Sequence, residues 1–216
     1  MSKATSMDLP VERLGPWLEQ AIPGFRGLGS ARKFAGGQSN PTFLLEADSG
    51  RYVLRRKPPG ALLASAHAVD REYRVLRALA DTAVPVPRAL ALCADDAVIG
   101  SMFYVMEFLD GRILWDPELP ELGNERRARV YDEMNRVLVA LHGVDVAAAG
   151  LADYGQPGNY YARQLGRWTK QYRAAETGRI EAMEELIAWL GERMPADDGR
   201  VVLVHGDYRL DNLMFD

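Results

Sequence analysis

Hydrophobic and polar residues alternate along several short stretches of the first half of the chain, a pattern typical of β-strands. The stretches are residues 33–35, 42–47, 52–56, 89–93 and 101–108. Turns are predicted at Asp48–Gly50 and at Asp95–Asp96. A leading helix carries Leu14, Trp17, Leu18 and Ala21 on one face, and a second helix is predicted over residues 65–80. Residues 1–109 are therefore expected to form a small antiparallel sheet with a leading helix and an inserted one.

After Gly111 the spacing of apolar residues changes to steps of three and four, which is typical of helices. Helices are predicted over residues 125–141, 159–173 and 179–190. The fold class expected from this order is α+β with two lobes. The first lobe covers residues 1–109, and a helical lobe covers residues 110–216.

The last dozen residues combine a carboxylate and a carboxamide. An apolar run over residues 201–204 ends in His205-Gly206-Asp207, and Asn212 comes just before a second apolar run. The pattern predicts a strand, a tight loop and a second strand. Asp207 could accept a proton from an attacking hydroxyl, and Asn212 could give Mg²⁺ its side-chain oxygen. The structural alternative is an Asx turn in which Asp207 binds backbone amides.

Composition and charge exclude several classes of protein. The net charge of −4 gives no basic surplus for nucleic acid, and no apolar run approaches the length of a membrane span. The single cysteine, Cys93, allows neither an intrachain disulfide nor a cysteine-based zinc site. We therefore expect a cytoplasmic protein that binds neither nucleic acid nor membrane, with its oligomeric state left open.

Three further stretches suggest a nucleotide site. A glycine-rich segment between two predicted strands lets backbone amides approach a phosphate, although it would also suit a plain hairpin. Its residues are Gly36, Gly37, Gln38, Ser39 and Asn40. Strand alternation puts Val53 and Arg55 on one face. The segment resembles the Val-Ala-Ile-Lys strand of kinases, and that resemblance implies that Val53 lines an apolar nucleotide slot and that Arg55 meets the phosphates. Arg56 and Lys57 are rivals for that role. Glu72, in the following helix, could brace the cation or belong to an ordinary surface helix.

The order of these elements resembles that of protein kinases, with His205 and Asp207 followed by Asn212 in the catalytic loop. Because Gly206 replaces the kinase arginine, the loop looks like that of the aminoglycoside-phosphotransferase branch. The resemblance implies a kinase-like fold, ATP, Mg²⁺ and a small-molecule hydroxyl acceptor. It also implies catalytic roles for His205, Asp207 and Asn212 and for the pair Arg55 and Glu72, with Asn212 as a metal ligand.

Residues 103–111 resemble the kinase hinge. The resemblance implies that Met106 is the gatekeeper. It also implies that the backbone carbonyl of Glu107 and the backbone N–H of Leu109 meet the adenine edge. A core strand that ends in a turn would explain the same stretch.

Residues 52–60, 65–75, 158–160 and 167–172 look like the phosphotransferase domain that animals fuse ahead of an acyl-CoA dehydrogenase. That resemblance suggests a hydroxyacyl-CoA acceptor. A basic stripe of Arg163, Arg167, Lys170 and Arg173 would suit the phosphates of CoA. Alternatively, the stripe is a solvated face balanced by the acidic helix that follows. An aminoglycoside, being a polycation, would prefer an acidic cleft, so aminoglycoside kinase is the alternative activity.

The chain departs from the family pattern in two places. Arg55 stands where the family pattern has lysine, and no second metal-ligand aspartate follows the catalytic loop before Asp216. We expect the N-terminal part of a longer enzyme, with the helical lobe incomplete and apolar surface exposed around Leu203, Leu213 and Phe215. The alternative from another class is an inactive nucleotide- or CoA-binding module.

Overall fold

The computed structural model describes residues 9–34, 40–58 and 68–215. The glycine-rich residues Gly36, Gly37, Gln38 and Ser39 lie outside the described residues, as does the predicted start of the second helix. The elements, in chain order, are α1 (Val11–Ala21), β1 (Leu28–Lys33), β2 (Thr42–Ala47), β3 (Gly50–Arg56), α2 (Val69–Leu79), β4 (Ala89–Cys93), α3 (Asp96–Ile99), β5 (Phe103–Glu107), α4 (Asn124–His142), α5 (Tyr160–Ala175), α6 (Glu181–Glu192) and a 3-10 turn (Leu210–Asn212).

The five strands form one antiparallel sheet in the order β1-β2-β3-β5-β4. Leu14 and Leu18, one helical turn apart in α1, are fully buried in a core cluster that also contains Leu54 and Val105 of the sheet. The other face of the sheet meets α2, where the ring of Tyr73 lies 6.2 Å from that of Tyr104. The sheet therefore separates an apolar core beneath α1 from a more polar face beneath α2.

The turn predicted at Asp95–Asp96 is wrong, because these residues begin a one-turn helix. The side chain of Asp95 caps α3 by accepting a hydrogen bond of 2.8 Å from the backbone N–H of Ala97. Gly100 ends the helix with a φ of 82°, a left-handed conformation that favours glycine. Burial of Val98 and Ile99 in the core cluster explains why a helical turn forms here.

The strands predicted on both sides of the His205–Asp207 loop are also wrong. Residues 201–204 make no ladder pairing within the described chain, and Val201, Val202 and Val204 are 49%, 40% and 50% exposed. The loop continues into the 3-10 turn and then into an isolated antiparallel bridge between Arg112 and Phe215. An apolar run becomes a strand only where a partner strand satisfies its backbone groups.

The chain forms two compact units, called here the first unit (Met1–Leu141 with His205–Asp216) and the second unit (His142–Val204). The second unit contains α5 and α6, which pack together but have no buried residue. The lobe boundary expected after residue 109 stays a prediction. Among the described residues, no helix is both long enough and apolar enough to cross a bilayer.

Candidate active site

Strand β3 sends two adjacent arginines to opposite faces of the sheet. The Nε of Arg55 lies 2.9 Å from Oε2 of Glu72 in α2, and both side chains are about one-third exposed. Arg56 is 5% exposed and donates from Nε to the hydroxyl of Ser101 at 3.0 Å. Burial lowers the pKa of Arg56. The geometry thus brings Arg55, rather than Arg56, together with Glu72.

The carboxylate of Glu72 receives two hydrogen bonds besides this ion pair. The side-chain amide of Asn40 donates to Oε1 at 2.7 Å, and the hydroxyl of Tyr104 donates to Oε2 at 3.1 Å. Asn40 and Tyr104 are 4% and 3% exposed. Burial raises the pKa of Tyr104, and the negative charge of Glu72 raises it further, so the hydroxyl keeps its proton at neutral pH. No sequence pattern predicts the contact of Tyr104 with Glu72, since it joins β5 to α2 across 32 positions of the chain.

The residues predicted to line the adenine slot lie on the same face of the sheet as Arg55. Val53 and Met106 are direct cross-strand partners, and Arg55 pairs with Tyr104 in the same register. Val53 is buried and Met106 half-buried. The carboxylate of Glu107 accepts the backbone N–H of Arg88 at 2.8 Å, so its side chain is engaged by a residue next to β4. Leu109 is exposed, at 42%.

In the catalytic loop, Asp207 and Asn212 are in direct contact. The amide nitrogen of Asn212 donates to Oδ2 of Asp207 at 2.7 Å and to the Asp207 carbonyl at 3.0 Å. Both acceptors fix the orientation of the amide, which leaves its oxygen as the atom available to a cation. Nδ1 of His205 accepts the backbone N–H of Asp207 at 3.3 Å, and Gly206 has a φ of 84°.

These residues fit part of a magnesium site. The described residues contain no group of three or more histidine, cysteine, aspartate or glutamate side chains that could hold a metal. The available donors are the amide oxygen of Asn212 and the carboxylate of Asp207, which is 66% exposed. Oxygen donors of this kind suit Mg²⁺, which also keeps several water ligands and contacts substrate phosphates.

Three contacts that sequence reasoning missed hold this loop in place. The hydroxyl of Tyr208 donates to the carbonyl of Met134 in α4 at 2.7 Å, and the Tyr208 ring packs edge-on against His205. Burial raises the pKa of Tyr208. Further along, Arg112 and Phe215 exchange backbone hydrogen bonds of 2.7 and 2.9 Å. The aromatic residue directly after Asp207 was the available sequence signal.

Contacts inside the second unit already use two members of the basic stripe. Arg173 pairs with Glu184 of α6, and Arg163 donates to the carbonyls of Gly158 and Gln156. Arg167 lies 5.0 Å from the centre of the Trp168 ring. Lys170 is exposed. The acidic helix therefore balances part of the stripe, while Arg167 and Lys170 remain at the surface.

Comparison with known proteins identifies the class. A model of the phosphotransferase enzyme family matches residues 30–216, so the chain belongs to that family of enzymes. A putative aminoglycoside phosphotransferase from Ralstonia eutropha has a similar structure, with 51% identity and a TM-score of 0.86. The match covers 96% of this chain and 60% of that one. The expected kinase-like α+β fold and enzyme class are confirmed.

A probable acyl-CoA dehydrogenase of Arabidopsis thaliana is 54% identical over 195 residues, which are 85% of this chain and 24% of that protein. The chain thus spans about a quarter of the length of this curated relative. Spectinomycin phosphotransferase, solved with ADP and spectinomycin, shares the fold alone. It is 12% identical with a TM-score of 0.56, and the match covers 95% of this chain and 65% of that one. The expected resemblance to a phosphotransferase domain of the acyl-CoA dehydrogenase type is confirmed.

Proposed function

We propose that the protein transfers the γ-phosphoryl group of ATP to a hydroxyl group of a small molecule, and that the acceptor is a hydroxyacyl-CoA thioester. The observation that carries the proposal is the contact between Asp207 and Asn212, which puts a carboxylate beside an oriented amide in one solvent-accessible loop. Nucleotide use is supported by the family and by a fold neighbour solved with ADP.

Asp207 is the proposed base. Its Oδ2 is occupied by the Asn212 amide, and Oδ1 lies 3.6 Å from the Nε of Arg209. In this role Asp207 orients the acceptor hydroxyl and takes its proton as the oxygen attacks phosphorus. Mg²⁺, when bound, would neutralise charge on the β- and γ-phosphates, and Asn212 would offer it the amide oxygen. Catalysis then depends mainly on positioning and charge neutralisation.

The sheet supplies the proposed nucleotide site. Arg55, paired with Glu72, offers its remaining guanidinium N–H groups to the phosphate tail. Val53 and Met106 offer an apolar wall to the adenine ring, next to the backbone of Glu107 and Leu109. The glycine-rich residues 36–39 are proposed to cradle the phosphates.

The acceptor proposal is supported by the acyl-CoA dehydrogenase relative and by the exposed cations Arg167 and Lys170. A second candidate, aminoglycoside kinase, is favoured by the similarity to the putative aminoglycoside phosphotransferase. A CoA thioester carries phosphates and attracts cations, whereas an aminoglycoside is itself a polycation. The two acceptors therefore make opposite demands on surface charge.

Replacement of the base tests the proposal. In Asp207→Ala, ADP release in the presence of ATP, Mg²⁺ and a hydroxyacyl-CoA should fall by about 10²–10⁴-fold, while ATP binding stays within about threefold. Asp211→Ala is the matched control, because it removes a carboxylate of the same loop that pairs only with Arg209 among the described residues. The control should keep most of its activity. Full activity in Asp207→Ala would refute the proposed mechanism.

A further inference from the structure

The ion pair between Arg55 and Glu72 does not by itself fix the orientation of the Glu72 carboxylate. The two atoms are 2.9 Å apart, yet the Nε of Arg55 is shielded from solvent and its N–H has no aligned acceptor within the described part of the chain. The contact is therefore a close charge pair without a directional hydrogen bond. A carboxylate on a helix has several rotamers, so something else must select the one that faces Arg55.

Two buried groups make that selection. Tyr104 of β5 donates a hydrogen bond to Oε2 of Glu72, and Asn40, the last residue of the glycine-rich segment, donates one to Oε1. Each donor occupies a different oxygen, so the plane of the carboxylate is fixed from two sides. Hydrogen bonds from nearly buried donors to a charged acceptor are among the stronger ones in proteins.

We propose that Tyr104 and Asn40 are positioning residues for Arg55, acting through Glu72, whose carboxylate they hold in the orientation that pairs with the guanidinium. Asn40 thereby links the end of the glycine-rich segment to the cation on β3. The inference rests on the proposed function in one respect, namely that Arg55 meets nucleotide phosphates.

The packing of Tyr104 does not by itself require its hydroxyl. Its ring meets the Tyr73 ring at a tilt, with the centroids 6.2 Å apart, a contact that phenylalanine would make equally well. The hydroxyl instead donates a hydrogen bond to the carboxylate of Glu72, which also pairs with Arg55. Tyr104→Phe therefore removes the positioning contact and keeps the packing.

The first test is kinetic. Tyr104→Phe should raise KM for ATP about three- to tenfold, the equivalent of one hydrogen bond, with kcat within about twofold, because Arg55 would bind phosphates in the ground and transition states alike. Tyr73→Phe is the matched control and should change KM less than twofold. In the Glu72→Ala variant, the additional substitution Tyr104→Phe should change KM for ATP by less than twofold. If the hydroxyl of Tyr104 had a purely structural role, the effects of the two substitutions on KM would multiply instead.

The second test needs no catalysis. The side-chain Nε–H resonance of Arg55, assigned with Arg55→Lys, should shift in Tyr104→Phe and in Asn40→Ala in the absence of nucleotide, and should stay in place in Tyr73→Phe. For Asn40 the Arg55 resonance is the deciding measurement. Asn40→Ala could raise KM for ATP either by releasing Glu72 or by disturbing the proposed phosphate-binding segment, so KM alone does not separate the two causes.

The outcomes separate the two claims. An Arg55 signal that stays in place in both Tyr104→Phe and Asn40→Ala would overturn the positioning role, whatever the activity. A wild-type protein without phosphoryl transfer, but with the expected shifts, would remove the proposed function and leave the positioning role standing. Multiplying effects in the Glu72→Ala background would also overturn the inference.

Discussion

At the scale of single residues, the two neighbouring arginines of β3 differ only in the face of the sheet to which they point. Arg55 ends beside a carboxylate on the polar face, and Arg56 ends on the hydroxyl of Ser101 on the other. A buried cation with a neutral partner contributes little to stability, because the cost of removing it from water offsets its contacts. Arg55 is therefore expected to matter for nucleotide binding, and Arg56 is expected to matter for neither nucleotide binding nor, to any large extent, stability.

Single substitutions should reveal this difference. Arg55→Met should raise KM for ATP by about tenfold or more, since it removes a cation from the proposed phosphate site, and should leave the melting temperature within a few degrees. Arg56→Met keeps the volume of the side chain and should leave KM for ATP unchanged. Steady-state kinetics and thermal unfolding of both variants check this. A larger effect on KM from Arg56→Met would reverse the assignment.

Strand periodicity alone predicted that Val53 and Arg55 share a face, and the pairing of β3 with β5 confirms it. Periodicity could not predict which atoms meet Glu72. The hydrogen bond from Tyr104 to Glu72 joins β5 to α2, and only the register between β3 and β5 puts Tyr104 beside Arg55. Alternation within a strand is a local property, so the shared face of Val53 and Arg55 was predictable. Register is set by long-range pairing, so the position of Tyr104 was not.

At the scale of elements, the segment before α4 and the end of the catalytic loop approach so closely that a side chain is excluded. A Cβ atom on Gly111 would lie 2.5 Å from Cγ of Met214 and 2.9 Å from the carbonyl oxygen of Phe215. The backbone bridge between Arg112 and Phe215 is adjacent. Gly111 thus permits the contact that fixes the far end of the catalytic loop.

Gly111→Ala should destabilise the protein by about 1–3 kcal/mol, because the backbone of Phe215 has to move. It should also reduce kcat through displacement of Asn212. Gly123→Ala is the matched control, since a Cβ there meets nothing within 4 Å, and it should be close to neutral. Urea unfolding and kcat for the two variants provide the measurement. Equal stability of the two variants would contradict the close approach.

The element pattern was most reliable where a segment packs on a core. Strand β4 begins and ends at the predicted residues, because its alternation follows directly from one buried face. The segment at Asp95–Asp96 was misassigned, since a capping aspartate and a turn aspartate look alike in sequence. The apolar run at 201–204 failed as a strand because hydrophobicity does not specify a pairing partner.

The hairpin of α5 and α6 should respond to acid. A side-chain hydrogen bond from Arg173 lowers the pKa of Glu184 below its ordinary value of 4.5, and the backbone N–H groups of Gly199 and Asn159 lower that of Asp197. A carboxyl whose pKa is lower in the folded state stabilises that state above the unfolded value and loses the contribution as pH falls. The contacts of Glu184 should therefore weaken progressively below about pH 4.5, and those of Asp197 below about pH 3.8.

The guanidinium NηH resonances of Arg173 measure this directly, because Arg173 contacts Glu184 through both Nη atoms. They should titrate in that acidic window, and Glu184→Gln should reduce the titration to the part that comes from Glu176, whose Oε2 lies 3.6 Å from Nη1. Arg167, whose guanidinium lies over the Trp168 ring, is the control and should show little change. A titration of Arg167 equal to that of Arg173 would show that general unfolding, rather than the ion pair, is being observed.

At the scale of the whole molecule, every described residue proposed for nucleotide binding belongs to the first unit. The residues of β3, α2 and β5 and the catalytic loop all lie in it, although the loop is separated from the sheet by the whole of the second unit in sequence. The exposed cations of the proposed acceptor region, Arg167 and Lys170, belong to the second unit. The proposed nucleotide contacts and Asp207 thus lie in the first unit, and the cations proposed to attract the phosphates of CoA lie in the second.

Hydrogen exchange should separate them, since a ligand stabilises the parts of the native state to which it binds. ATP with Mg²⁺ should slow exchange in residues 40–58, 69–79, 103–109 and 205–215. A hydroxyacyl-CoA should slow exchange in 160–175, where the fully charged kanamycin should have no effect. Arg167→Ala combined with Lys170→Ala should abolish the CoA effect and retain that of ATP, because only the second unit loses charge. Protection of 160–175 by kanamycin but not by the CoA thioester would make an aminoglycoside the acceptor and overturn the CoA assignment, while leaving the nucleotide site intact.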